Sequence, residues 1–137
     1  MSSGNDKTVD FVLVPAMSER EVVCLLLNRF PAVRDRVCPD EDYFEWPTIV
    51  YDSFATIVLE KSDDSTFIQS VGQFIDELAE SKDRLIKNVL DVSLLEGIAA
   101  DPQFARIISS IISPKSRSRL HEVERKFYGR VLLPEET

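Results

Sequence analysis

Phe67, Ile68, Val71, Phe74, Ile75 and Leu78 follow one another at steps of one, three, three, one and three. That spacing places every member on one stripe of a 3.6-residue helix. Asp76, Glu77 and Glu80 fall on its other face, and Asp63-Asp64-Ser65 ahead of it supplies a turn and an N-cap. A stripe this regular has to be buried against the rest of the fold, which constrains what this segment can form.

The rest of the chain repeats the pattern. Ser18-Glu19-Arg20-Glu21 has the form of a capping box, with a Glu three residues after a hydroxyl. Val22, Val23, Leu25, Leu26, Leu27 and Phe30 follow, and Pro31 stops the helix. Residues 31–47, with Pro31, Pro39, Pro47 and a cluster of acids, read as a loop. Pro47-Thr48 can open a second helix, because proline is tolerated in a first turn. Thr48 to Leu59 is also rich in β-branched and aromatic residues, so a strand stays open there; Phe54, Ile57 and Val58 at i, i+3, i+4 favour helix.

Ser81 is placed to cap a fourth helix carrying Leu85, Ile86, Val89, Leu90, Val92, Leu94 and Leu95, dense enough to lie at the centre, with Gly97 near its end. Asp101-Pro102 and Ser113-Pro114 are cap-and-proline pairs. They open a fifth helix with Phe104, Ile107, Ile108, Ile111 and Ile112, and a sixth with Leu120, Val123 and Phe127. Gly129 is placed to end the last.

The expectation is therefore an all-α domain of about six helices, a bundle or a stack of helical hairpins. No period of 30 to 47 residues recurs, so a solenoid is not indicated. At 137 residues the chain suits one domain with a real core. Residues 1–17 read as an N-terminal arm that includes the apolar run Phe11-Val12-Leu13-Val14-Pro15, 18–130 as the helical domain, and 131–137 as a tail.

No apolar run approaches the ~20 residues of a membrane span, and the start lacks a basic-then-apolar leader, so no membrane association and a cytoplasmic location are expected. Cys24, among Val22, Val23, Leu25 and Leu26, reads as a buried free thiol. A disulfide to Cys38 stays open, but a framework of staples does not. One His and two Cys do not make a structural zinc site; neither metal nor cofactor is expected. Four glycines leave no phosphate-cradling loop.

Charge is segregated within the formal net of −8. Asp40 to Asp64 holds eight acids against Lys61 alone, a net of −7, and by Asp101 the running net is −11. Residues 102–134 hold seven bases against Glu122 and Glu124. Such a field steers a cationic partner. Asp40, Glu41, Asp42, Tyr43, Phe44, Glu45 and Trp46, between two prolines, combine carboxylates with rigid aromatics, the materials of an interface hot spot. Asp63, Asp64, Asp76, Glu77 and Glu80 would support that surface. The competing reading puts Phe44 and Trp46 in the core with the acids in water.

Catalytic readings are thin. Asp52 with Tyr51, or Glu96 with Asp91 and Asp101, would have to flank a shaped pocket. His121, beside Glu122 and Glu124, reads as solvated surface. No catalytic residue and no enzyme activity are expected. A nucleic-acid reading would use Lys115, Arg117, Arg119, Arg125, Lys126 and Arg130. It is weakened by pairing of Arg119 with Glu122 and of Glu122 with Lys126 within the helix, and by the acidic middle, which repels phosphate.

From Phe67 to Tyr128 the chain resembles a group of small bacterial helical proteins. The resemblance rests on Ser70-Val71-Gly72-Gln73-Phe74-Ile75-Asp76-Glu77-Leu78, Asn88-Val89-Leu90-Asp91-Val92-Ser93-Leu94-Leu95-Glu96, Ser113-Pro114-Lys115-Ser116-Arg117 and Phe127-Tyr128-Gly129. It implies a protein without catalytic residues, in some members an immunity partner of a polymorphic toxin, and it brings no functional residue with it. Read together, these features predict a protein-binding module that neutralises a basic toxin. The alternatives are a DNA- or RNA-binding regulator and a self-associating adaptor, with oligomeric state open.

Overall fold

Ser18 sets the first helix as its sequence predicts. Its hydroxyl accepts the Glu21 N–H at 3.1 Å, and the Glu21 carboxylate accepts the Ser18 N–H at 2.9 Å. The reciprocal pair satisfies donors that a helix start leaves free. The computed structural model of the protein describes residues 17–129. The apolar run Phe11–Pro15 and the tail 131–137 lie outside the described residues.

α1 (Glu19–Arg29) buries Val22, Val23, Leu26 and Leu27. Pro31 opens a 3₁₀ turn (Pro31–Val33) that leads into the short α2 (Arg34–Val37), and a second 3₁₀ turn (Glu41–Glu45) precedes α3 (Pro47–Glu60). Thr48 to Leu59 is thus helix, not strand. α4 (Ser65–Ala79) is capped by the Asp64 carboxylate, which accepts the Phe67 N–H at 3.1 Å. α5 (Arg84–Asn88) runs without a break into a π-helical segment (Val89–Leu95) and α6 (Glu96–Ala99). α7 (Pro102–Ser109) and α8 (Pro114–Tyr128) complete an all-α domain, with no strand among the described residues. Gly129 ends α8 in the left-handed region, φ +63°, where a Cβ would be strained.

The core is centred on aromatic rings from α3, α4 and the residue that ends α1. Phe30, just past α1, lies 4.9 Å from Phe54 of α3, and 5.6 and 5.5 Å from Phe67 and Phe74 of α4. The fully buried Tyr51 hydroxyl donates to the Val22 carbonyl at 2.9 Å and ties α3 to α1. α3 also packs along the π segment, where Ser93 donates to the Thr48 carbonyl at 3.2 Å. At Gly97 an added Cβ would stand 2.7 Å from the Ala55 Cβ, so the glycine lets α6 approach α3 closely.

Four expectations change. Residues 31–47 carry three short helical pieces instead of a plain loop. Asp83, not Ser81, caps α5: its carboxylate accepts from Leu85 and Ile86 at 2.8 and 3.1 Å, while Ser81 Oγ accepts the Asp83 N–H at 3.0 Å. A charged acceptor makes the stronger bonds, and it also receives the Met17 N–H. The fifth helix ends at Ser109 rather than reaching Ile112. The π segment was not foreseen. Its i→i+5 bonding brings residues five apart onto one face, which suits Val89, Leu90, Leu94 and Leu95, all fully buried.

Both cysteines are free; Cys38 is buried, while Cys24 is half-buried rather than buried. Burial pushes the Cys38 thiol above its ordinary value. No described helix is long and apolar enough to cross a membrane.

Candidate functional site

The stretch between Pro39 and Pro47 splits its aromatics. Asp40 caps the second 3₁₀ turn by accepting the Asp42 N–H at 2.9 Å. Phe44 turns inward and is buried, covered by the guanidinium of Arg20 at 4.3 Å from the ring centre and that of Arg34 at 5.5 Å. Trp46, two residues on, then faces out: it is 44% exposed and meets the half-buried Tyr43 ring edge-on at 5.3 Å. Ile49, in the first turn of α3, is 47% exposed. Asp42 and Glu45 are exposed beside these residues, and Glu41 makes only a surface pair with Arg20 at 3.3 Å. The Phe44 part of the core reading therefore holds, and the Trp46 part does not.

The supporting acids lie elsewhere. Asp63 and Asp64 follow the C-terminal end of α3, and Trp46 stands at its N-terminal end. Fourteen residues of helix at 1.5 Å each put about 21 Å between them. Asp64 is the α4 cap. Asp76 accepts the Ser113 N–H at 2.9 Å and the Ser116 hydroxyl at 2.7 Å. Glu77 pairs with Arg29, and Glu80 with Lys115 at 3.3 Å. Asp76 ties α4 to α8, Glu77 and Glu80 make surface pairs, and Asp63 and Asp64 stand a helix length from Trp46, so the expected surface is not one patch.

Of the six bases named for a nucleic-acid surface four are engaged, Lys126 has no carboxylate partner among the described residues, and Arg130 lies outside them. Arg117 donates to the Ser109 and Ile112 carbonyls, each at 3.0 Å, and so closes the end of α7. Arg119 grips Asp91 of the π segment through two bonds of 2.8 and 3.0 Å. Glu122 pairs with Arg125 at 2.7 Å, in place of the expected partners Arg119 and Lys126. His121 is half-buried rather than solvated, and Glu124 is fully buried. Among the proposed carboxylate sets, Asp52 and Glu96 share one groove. Asp91 is held by Arg119, Asp101 caps α7 through Gln103 and Phe104, and the Tyr51 hydroxyl is buried, which raises its pKa. On the surface, Arg36 and Glu60 form a two-bond pair at 2.7 and 3.0 Å that lowers the Glu60 pKa. Among the described residues no three His, Cys, Asp or Glu converge as a metal set.

A concavity of about 650 Å³ opens between α8 and the run of α5 into the π segment. Val92 and Phe127, 40% and 41% exposed, line one end, and Arg84, Lys87 and Lys126 stand in its walls. Both apolar residues were expected in the core, as was Ile107 of α7, which is also exposed.

A family model matches residues 23–129, which takes in the Tyr43–Trp46 edge, the groove and every described helix beyond the first turn of α1. The chain belongs to the DUF7674 family. DUF7674 is described as a domain of unknown function, so membership assigns fold extent and no chemistry. It contains the whole of the stretch, Phe67 to Tyr128, that resembles small bacterial helical proteins. No curated protein matches the chain, and no solved structure does.

Within the DUF7674 region, sequence reasoning passed over Ile49, Val92 and Phe127 as surface residues. The signal for Ile49 was available, since it leads α3 by five residues from Phe54 and falls off the buried stripe. Val92 is turned outward within the π segment, and helical spacing alone does not reveal that.

Proposed function

We propose that this DUF7674 protein is a non-catalytic protein-binding module that acts in the cytoplasm. Its Tyr43–Trp46 edge holds a basic partner in the manner of an inhibitor or immunity protein acting on a toxin domain. The observation that carries this reading is Trp46 itself, 44% exposed at the end of the second 3₁₀ turn, beside the similarly exposed Ile49. Exposed Trp within a small apolar patch, ringed by polar groups that water still reaches, is the anatomy of a binding hot spot. Asp42, Glu45 and Glu41 around it supply the charge that steers a cationic surface and fixes its orientation. Free Cys24 and Cys38 suit a reducing compartment.

The nucleic-acid alternative draws less support. Lys115, Arg117, Arg119 and Arg125 are each engaged by a carboxylate or a carbonyl of the same chain. A phosphate backbone would have to displace those partners.

Paired affinity capture from the native cells tests the proposal, with the wild-type chain and Trp46→Ala as baits at low and moderate salt. The expected result is a basic protein that is retained by the wild type and lost from the variant. Identical retention on both baits, or recovery of nucleic acid alone, contradicts it.

A further inference from the structure

We infer that the groove between the π segment and α8 is a second docking site, and that its occupant is an acidic amphipathic helix of a partner protein. The inference stands independently of the Tyr43–Trp46 edge. Asp91 is bonded to Arg119, and the Tyr128 hydroxyl donates to the Glu96 carbonyl at 3.1 Å. The two walls therefore run in the same direction, and the groove extends from Arg84 and Ser118 to Val92 and Phe127.

Along that path the chemistry changes in a defined way. The Val92 and Phe127 end is apolar and exposed. Lys126 sits beside it, its ammonium 5.9 Å from the Phe127 ring centre, and Lys87 and Arg84 line the opposite wall. Among the described residues no carboxylate pairs with Arg84, Lys87 or Lys126. In a chain with a formal net charge of −8, three unpaired cations around one concavity select an anionic partner.

One observation favours a helix with acids and apolar residues over a nucleic acid. The exposed area is partly aliphatic: Val92 beside Phe127 suits an apolar side chain, whereas a base gains by stacking on an aromatic ring alone. The α8 wall from Ser118 to Phe127 is about 15 Å long, which matches about three turns of helix laid into a groove. The π segment adds a further sign, since such departures from α geometry are frequent at functional sites. The Arg119–Asp91 bonds hold that segment in place from across the groove.

The probe is a fluorescein-labelled peptide of about four helical turns, with Leu and Phe on one face and Glu on the other, compared with its Lys-for-Glu counterpart. Binding to the full chain is read by fluorescence polarisation, and its location by backbone amide shifts. The acidic peptide is expected to bind, to shift amides within residues 84–92 and 118–127, and to bind Trp46→Ala as it binds the wild type. Arg84→Glu with Lys87→Glu should weaken it about tenfold or more, and Phe127→Ala about tenfold, with helical melting unchanged. Several outcomes overturn the inference: no binding of the acidic peptide, equal binding of the Lys counterpart, or insensitivity to both variants. Tighter binding of duplex DNA at the same amides overturns it too. So does self-association of the chain alone that shifts those same amides, which gives the groove to a second copy.

Discussion

Tyr43 and Trp46 meet edge to face, ring centres 5.3 Å apart and planes at 68°, and only Tyr43 is tucked against the core. The contact supports the exposed indole without burying it. A pre-positioned ring loses little conformational freedom on binding, which is what gives an aromatic anchor its affinity. Phe44 between them secures the turn from below.

Trp46→Ala should separate binding from folding. Trp46 contributes no side-chain cap bond to α3, so its removal should cost stability less than about 1 kcal/mol. Partner dissociation should quicken by about tenfold or more, with the association rate unchanged. Surface plasmon resonance alongside thermal melting reads both.

Asp42→Lys with Glu45→Lys should act on the other kinetic limb. These carboxylates are exposed, and exposed charges mainly steer encounter. The association rate should fall and lose most of its salt dependence, with a smaller effect on dissociation. Asp40 is a poorer target, because its carboxylate caps the turn and reversal there would disturb the edge itself.

Asp76→Ala should destabilise the fold without touching the edge. The substitution strips an acceptor from the Ser113 N–H and from the fully buried Ser116 hydroxyl, a loss of about 2 kcal/mol. Glu77→Ala removes a largely exposed pair with Arg29 and should cost well under about 1 kcal/mol. Urea denaturation of the two variants distinguishes an acid that builds the protein from one that decorates it.

Tyr51 predicts an alkaline limb in stability. Burial holds its hydroxyl protonated well above the ordinary value, so the native state binds the proton more tightly than the unfolded chain. The resulting stability is fully present below pH about 10 and is lost as pH rises from there through the raised folded value. Tyr51→Phe should cost about 1 kcal/mol at neutral pH through the lost bond to Val22 and should flatten that limb. Chemical denaturation at stepped pH measures both.

The helices were readable because their starts are local. Ser18, Asp64, Asp101 and Ser113 each accept an N–H two or three residues ahead, and a side chain with that reach announces itself in the sequence. Ser81 misled because Asp83, two residues on, competes for the same donors with a full charge. Long-range pairs were not readable. Arg119 has Glu122 within a helical turn, yet bonds Asp91, which is 28 residues away in sequence. The aromatic edge was half legible: its composition marked the segment, but only the 3₁₀ turn decides that Phe44 faces in and Trp46 out. Val92 and Phe127 were assigned inward from apolarity alone, and the π segment and the end of α8 present them to the groove instead.

Trp46 is the chain's single tryptophan, which makes it a direct reporter of the central claim. The chain is labelled with 5-fluorotryptophan so that a partner's own tryptophans stay silent, and fluorine NMR follows the indole as the captured basic partner is added. The account predicts that the resonance shifts on binding and loses its sensitivity to a soluble paramagnetic relaxation agent, as an indole buried in an interface must. A resonance that keeps its shift and its solvent sensitivity at saturating partner would contradict the Tyr43–Trp46 edge as the binding surface.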